Sequence, residues 1–541
     1  MALSLSAEQK ELLKIFKIEE QYVIPPYQRP YSWEYDHCFQ LYNDLVKAFD
    51  SKQDYFIGNI IIAKANNNKE TLEVVDGQQR LITSMLLFKV LFLFQPEIKV
   101  LQHLLEKEDW EGTNTVSRVR SDVFEANDGI SLSEVLKYDL NKIESRYSTV
   151  IDKNDKLIER LCKSRFEANI LYFYNWVKFF KDRRQDLKDF TSYILTQVYL
   201  LPIELSGNTQ DEANEKALVI FETINNRGMN LEDADIFKAK LYNKAKNIQE
   251  EKIFIDLWTD FKASCDSLNL NIDDIFRYYS HIIRGKEGIT LSETNLREFF
   301  INEKFSPLEL KKYKDVLADL FKILEILETL NQEKIRSTET AKWLQIIDAY
   351  TNQYPRYAIV NYLYVNQLTI DGSFDNFLKS LIRFIFYQGS TSTVKFEIYN
   401  IIKQTSSGIT IGSYFREEIT SEYFNFLGRL KKGFALLAFY INEDHALTNY
   451  NIDKIINLKD QKMLSEDWKE KELADIIDSL GNFLILDIPK KNIGFNKKSQ
   501  YYNSSNIPEI KNLFSNGDFT YNNFRSRDTL LKNRLVKFFK E

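Results

Sequence analysis

Glycine and proline are scarce, at 17 and 9 of 541 residues. A chain so poor in turn formers favours long helices over a turn-rich β fold. Cysteine is scarcer still: Cys38, Cys162 and Cys265 lie far apart and make neither a disulfide framework nor a zinc knuckle. A reducing cytoplasm suits them. Histidine is limited to His37, His103, His281 and His445; His37 is expected to pack or face solvent, and His103 and His281 have no evident partner. No apolar run reaches the ~20 residues that a membrane span needs. The most apolar run, Leu81 to Phe94, stops short, and Met1 to Lys14 lacks the apolar centre of a signal peptide. The expectation is a soluble, cytoplasmic protein with no membrane partner.

Apolar residues make up 44% of the chain and charged residues 28%, a globular balance with room for two to four domains. Phenylalanine (39) and tyrosine (30) are abundant and suit aromatic-rich helical packing. Net charge is −6, which does not advertise nucleic-acid binding. Its distribution says more. Lys490 to Glu541 holds eleven Lys and Arg against four Asp and Glu, so that segment is +7 and the remainder −13. Such an end can meet a phosphate backbone, with Lys497, Lys498, Arg525 and Arg527 as candidate DNA contacts, or be an ordinary solvated face.

The most informative stretch runs from Thr71 to Phe94. Thr71–Val75 reads as a strand, with β-branched Val74 and Val75 suited to burial. Gly77 permits a sharp turn. From Leu81 onward the sequence is an apolar helix whose first turn carries Gln78, Gln79 and Arg80. Free amides and the positive end of the helix dipole attract an anion there, and Arg80 adds a planar fork for phosphate oxygens. Asp76 is placed to hold a metal ion or a water. The plain alternative is a strand-to-helix turn whose arginine pairs with a surface carboxylate.

Upstream, Ala7 to Ile18 has the spacing of an amphipathic helix. In Tyr22 to Trp33 the prolines Pro25, Pro26 and Pro30 forbid a helix and stiffen an extended segment, which fixes Gln28 and Arg29 in place. Tyr27, Tyr31 and Trp33 offer flat faces for packing or base stacking. A helix is expected at Glu34–Phe49, and a strand at Tyr55–Ile62 that pairs with Thr71–Val75. Ser117 to Gly129 reads as an excursion with Arg118 and Arg120 exposed, and Thr196–Pro202 as a further strand. A turn at Asn225-Asn226-Arg227-Gly228 separates two helices.

Ile24-Pro25, Tyr27-Gln28-Arg29, Tyr31 and Trp33, then Phe56-x-Gly58, then Asp76-Gly77-Gln78-Gln79-Arg80, resemble in that order the N-terminal domain of the GmrSD restriction endonuclease family. Phe221 to Leu231 resembles the family's second motif, with Asp235 on the matching helix. The resemblance implies a fold distantly similar to ParB and sulfiredoxin that binds and hydrolyses nucleoside triphosphates with Mg²⁺. It implies that Gln28, Arg29, Gly77, Gln78, Gln79, Arg80, Asn225 and Arg227 bind the nucleotide, that Asp76, Gln79 and Arg80 act in catalysis, and that Asp76 holds the metal.

Beyond about Tyr423 the chain resembles the family's C-terminal nuclease domain of the HNH type. Asn451–Asn457, the Leu480–Leu486 segment, Asn492 and a basic terminal helix carry the likeness. Where the family has its histidine base, this chain has Lys454. A lysine near its usual pKa of about 10.4 is a poor base at neutral pH and repels a divalent cation. Asp453, Lys454, Asn482 and Asn492 are therefore read as a degenerate nuclease site.

The expected fold is α+β and mostly helical. It comprises a small ParB/sulfiredoxin-like α/β domain (1–240), a helical connecting domain (241–422) and a degenerate HNH-like domain (423–541). The expected function is an NTP-binding and NTP-hydrolysing anti-phage restriction protein that acts on or senses foreign DNA. A companion nuclease subunit would supply cleavage, and self-association is left open. The alternatives are a self-sufficient, modification-dependent DNA endonuclease and a non-catalytic nucleotide-binding sensor or scaffold.

Overall fold

A computed structural model describes the chain apart from residues 1–4, 17, 67–69, 109–114, 124–129, 153–156, 211, 215, 218–219, 221–232, 246, 292–294, 303, 389–390, 409–418, 465–467, 469–472 and 515–518. The chain divides into two compact units, Met1–Asp260 and Phe261–Glu541.

The first unit is built on a mixed seven-stranded sheet. Its strands are β1 (Leu5–Ala7), β2 (Lys10–Glu11), β3 (Gln21–Ile24), β4 (Tyr55–Ala65) and β5 (Thr71–Asp76). A separate small pair, β6 (Glu106–Glu108) and β7 (Thr115–Ser117), precedes β8 (Val119–Ser121) and β9 (Val198–Gly207). The order is β1-β9-β4-β5-β3-β8, with β2 also on β9. β3 runs parallel to both β5 and β8, and β4 parallel to β9, while β4 and β5 are antiparallel. The pairing expected between the segments at 55–62 and 71–75 is therefore present.

Alternation along the strands sorts the side chains onto two faces. Ile60, Ile62, Leu72 and Val74 join the large core, while Ile61, Ala63 and Val75 join a smaller cluster with Ile203, Leu205, Ala213 and Ala217. The large core is covered by α1 (Leu12–Phe16), α2 (Tyr35–Asp50), α3 (Gln78–Phe94) and the helix Arg165–Arg183. α3 is buried almost all round, as a helix apolar on every face must be.

The helix expected from Ala7 is confined to Leu12–Phe16, because Leu5–Ala7 and Lys10–Glu11 bond to β9 instead. Arg118, expected to be exposed, is buried. Its guanidinium donates to the His103 carbonyl at 2.9 Å and to the Ile18 carbonyl. It immediately precedes β8, which is drawn into the sheet by β3, and of the two arginines only Arg120 faces solvent.

The second unit is helical through Gly372–Gln388 and Thr391–Ser406, and contains both the helical middle and the C-terminal region. Its helices before these include Ile272–Glu287, Tyr313–Lys334, Glu339–Asp348 and Tyr354–Val365. Trp258, in the first unit, and Trp343, in the second, are core residues. Between Phe424 and Ile441 the chain is a regular α-helix only over Lys431–Tyr440. Among the described residues no helix is long and apolar enough to cross a membrane.

Gly77 caps α3 with φ of +92°, and a Cβ there would lie 2.4 Å from Ile60 Cγ2. Gly77→Ala combines a left-handed backbone penalty with a clash in the core. It should destabilise the first unit by about 2 kcal/mol or more, read as a lower denaturant midpoint with an unchanged slope.

Candidate functional site

β5 ends in Asp76, the chain turns at Gly77, and α3 begins at once. The first intrahelical bond is Leu81 N–H to the Gly77 carbonyl, 3.1 Å. Gly77 has no side chain to cap the amides of Gln78, Gln79 and Arg80, so the positive end of α3 is uncapped by its own N-cap residue.

Arg80 sits on this turn in a fixed pose. Its Nη1 donates to the Asn59 carbonyl at 3.0 Å and lies 3.8 Å from Asp76 Oδ2. The guanidinium lies against Gly58, where φ is +137° and a Cβ would meet Arg80 Nε at 3.0 Å. Gly58 is thus the seat of the arginine, which explains why that glycine accompanies the motif. Both side chains of the Asp76–Arg80 pair remain about one quarter exposed, at 27% and 28%. Burial pushes the Asp76 carboxyl above its ordinary range, while Arg80, the Gly77 amide and Arg29 pull it back. Arg29 is itself exposed. Arg80 therefore lies beside a partly buried carboxylate, and the charge of Arg29 is near enough to act on it.

The glutamines do something else. Gln79 is buried; its Oε1 accepts from Ser32 N–H at 2.9 Å and Trp33 N–H at 3.3 Å, and its Nε2 donates to the Pro30 carbonyl at 3.2 Å. Gln78, also buried, donates to the Arg29 carbonyl at 3.0 Å. Gln28 donates to the Val75 carbonyl at 3.0 Å. These amides hold the proline-containing segment onto the strand and helix ends. The nucleotide contact expected of Gln28, Gln78 and Gln79, and the catalytic part expected of Gln79, are not what these hydrogen bonds serve.

The sequence reading missed Asn169, which is buried and donates to the Tyr31 hydroxyl at 3.0 Å and the Trp33 carbonyl at 2.8 Å. It also missed Lys238, whose Nζ donates to the Gln28 carbonyl at 3.3 Å. Neither falls in a motif, and only the fold brings them in. Asn225 and Arg227 lie outside the described residues; Asp235 lies on the helix Asp233–Tyr242.

In the second unit, β10 (Asn451–Lys454) pairs antiparallel with β11 (Phe483–Leu486), and the helix Phe495–Tyr502 follows. Asp453 is buried, accepts from the Tyr502 hydroxyl at 3.1 Å and lies 3.3 Å from Lys490 Nζ. Lys454 pairs with Asp478 at 2.8 Å. Asn482 is fully buried and turned to backbone. It accepts from Ile456 N–H at 2.8 Å and donates to the Ile456 and Ile477 carbonyls, both at 2.9 Å. Asn492 accepts from Lys459 Nζ at 2.6 Å. Among the described residues no three His, Cys, Asp or Glu side chains converge as a metal site.

Two of the four expected DNA contacts are corrected. Lys498 is buried, with its ammonium on the Lys454 and Ile455 carbonyls. Arg527 is largely buried, bonded to the Gly481 carbonyl at 3.1 Å and paired with Glu509 at 3.0 Å. Each is drawn inward by carbonyl or carboxylate partners that would otherwise be unsatisfied. Lys497 and Arg525 are exposed.

The first unit is thus an α+β domain that presents an arginine-flanked carboxylate where a strand turns into a buried helix. Residues 11–242 match the family described as "GmrSD restriction endonuclease, N-terminal domain". The match spans the first unit, so residues 11–242 form a domain of the GmrSD N-terminal type. No curated protein matches the chain.

Two substitutions separate scaffold from site. The folded pKa of Asp76 lies above its unfolded value, so its ionised form costs stability at neutral pH, and that cost fades as pH falls through the folded pKa. Asp76→Asn should raise the thermal midpoint by about 1–3 °C at neutral pH. The gap should close below about pH 3, where the carboxyl is protonated in both states. Asn482→Ala should cost the second unit about 1–3 kcal/mol, because buried backbone groups at Ile456 and Ile477 lose their partners. Chemical denaturation followed by tryptophan fluorescence reads this.

Proposed function

We propose that the first unit binds a nucleoside triphosphate at the strand-to-helix turn and hydrolyses it, as the engine of a restriction-type defence protein. The observation that carries this reading is the pair Arg29 and Arg80 flanking Asp76 at the glycine-capped start of α3. Phosphate oxygens fit the Arg80 fork, the exposed Arg29 and the amides of the first helical turn. Arg80 is held before any ligand arrives, so little reorganisation is needed as charge develops on a phosphate.

Asp76 supplies the single carboxylate that Mg²⁺ takes from a protein when phosphates and water complete its shell. Mg²⁺ would neutralise phosphate charge there, and burial already primes Asp76 to gain from a neighbouring cation. The segment Gln28–Trp33, held by Gln78 and Gln79, keeps Arg29 in reach.

On this reading the C-terminal region contacts DNA or a partner, with Lys497 and Arg525 among its exposed cations, and does not cut. Lys454 is tied to Asp478 where a base would be needed. A companion nuclease subunit supplies cleavage, and self-association remains compatible with it. One observation favours a second reading. The Gln79 amide is engaged on Ser32, Trp33 and Pro30, so it does not orient a water, and a sensor that keeps its nucleotide unhydrolysed would need no such group.

Phosphate release from ATP, GTP, CTP and UTP with Mg²⁺, with and without DNA, tests the first reading. Turnover should fall by about 100-fold or more in Arg80→Ala. Binding without release from any nucleotide would leave the sensor reading in front. Metal-dependent cleavage of DNA by the purified chain alone would overturn the assignment of the C-terminal region.

A further inference from the structure

A second cavity of about 390 Å³ opens in the first unit on the Glu73 side of the sheet. It lies between the ends of β3, β5 and β8 and the helix Asp233–Tyr242. Its walls include Pro25, Tyr27, Glu73, Tyr242 and Asn243. Nothing in the reading of the phosphate site uses it.

The cavity is organised rather than incidental. Gln210 Nε2 donates to Asn214 Oδ1 at 3.1 Å, and Asn214 Nδ2 donates to Glu73 Oε2 at 2.9 Å. Asn214 is buried, so a chain of two amides aims one carboxylate at the cavity rim. Tyr27 and Tyr242 stand with ring centroids 5.1 Å apart and add aromatic surface. The lining is wrong for phosphate. Among the described lining residues, Glu73, Asp122 and Glu251 outnumber one guanidinium, Arg120, and Asp122 already holds that guanidinium by two bonds of 2.9 Å. Carboxylates, amides and aromatic faces suit hydroxyl and amino donors on a planar, uncharged group.

The cavity is also linked to the phosphate site along the chain. β3 leads through Pro25–Tyr27 into Gln28 and Arg29, and β5 leads from Glu73 to Asp76. The helix Asp233–Tyr242 carries Tyr242 at the cavity and, one turn earlier, Lys238 bonded to the Gln28 carbonyl. Glu73 and Asp76 are three residues apart on an extended strand, roughly 10 Å, which is the scale that separates a nucleotide's base from its outer phosphates.

We infer that this cavity receives the nucleoside end of the nucleotide, base and ribose, with Glu73 accepting from ligand donors while the phosphates reach Arg29 and Arg80. The inference rests on the proposed phosphate site, and the test separates the two. Calorimetry on the full chain would use the four NTPs, their nucleosides and inorganic tripolyphosphate. The variants are Glu73→Gln, which keeps an acceptor for Asn214, Asn243→Leu in the turn after the helix, and Arg80→Ala.

Glu73→Gln and Asn243→Leu should each weaken the best NTP by about tenfold or more and leave tripolyphosphate unchanged. Arg80→Ala should weaken both. NTP affinity unmoved by either cavity variant, but lost in Arg80→Ala, overturns the inference and leaves the phosphate site standing. Nucleoside binding that depends on Glu73, with no dependence of any ligand on Arg80, leaves the cavity standing and removes the phosphate site. A chain that binds none of these probes overturns both.

Discussion

The first unit depends on one constraint: a segment with three prolines, Pro25, Pro26 and Pro30, crosses the end of the sheet without a strand beside it. Its backbone groups still need partners. They find them in side-chain amides, Gln78 and Gln79 from the start of α3 and Asn169 from the helix Arg165–Arg183. Gln28 returns the favour by reaching the Val75 carbonyl. Because the amides are buried, each bond is made in a medium where leaving it unmade costs about 1–3 kcal/mol. The segment, the strand end and the helix start consequently form one rigid corner. Tyr31 locks the same corner from below through Thr83 at 2.7 Å and its stack on Phe166.

Rigidity there has an electrostatic use. A carboxylate that burial disfavours stands beside two guanidinium groups, and one of these is seated on a glycine that no other residue could replace without displacing it. Left to optimise stability alone, the chain would do better with a neutral group at Asp76. That it carries the charge is the kind of local cost expected at a site that meets a further cation or anion.

How much of this was legible depended on whether the signal was local. The strand at Thr71–Val75, the turn at Gly77 and the buried helix beyond were readable because β-branching, glycine and an apolar run act over a few residues. So was the juxtaposition of Arg29 with Asp76 and Arg80, through the motif resemblance. The work of Gln78 and Gln79 was not, since an amide that clips backbone and an amide that meets a ligand are the same letter. Arg118 was misjudged because β8 is only three residues long and is recruited by β3, far away in sequence. Lys238 and Asn169 carry no local signal at all.

The C-terminal strand pair argues in the opposite direction from the N-terminal corner. At Asp76 charge is left partly uncompensated and partly exposed; around β10 the charges of Asp453, Lys454 and Lys498 are answered from within. Tyr502 and Lys490 satisfy Asp453, and Asp478 binds both Lys454 and Lys431. Lys498 drives an ammonium into the interior onto two carbonyls of the strand end, with its pKa held down by burial and propped up by Asp453 and Asp460. A buried cation already occupies the field those carboxylates create, so a divalent ion entering there would face repulsion before it found a ligand. Asn482, expected from the resemblance to belong to a degenerate nuclease site, is turned to backbone by three hydrogen bonds. Placing a histidine at position 454 would therefore supply a base without supplying a place for a metal, since Lys498 and Asn482 would still hold that interior closed.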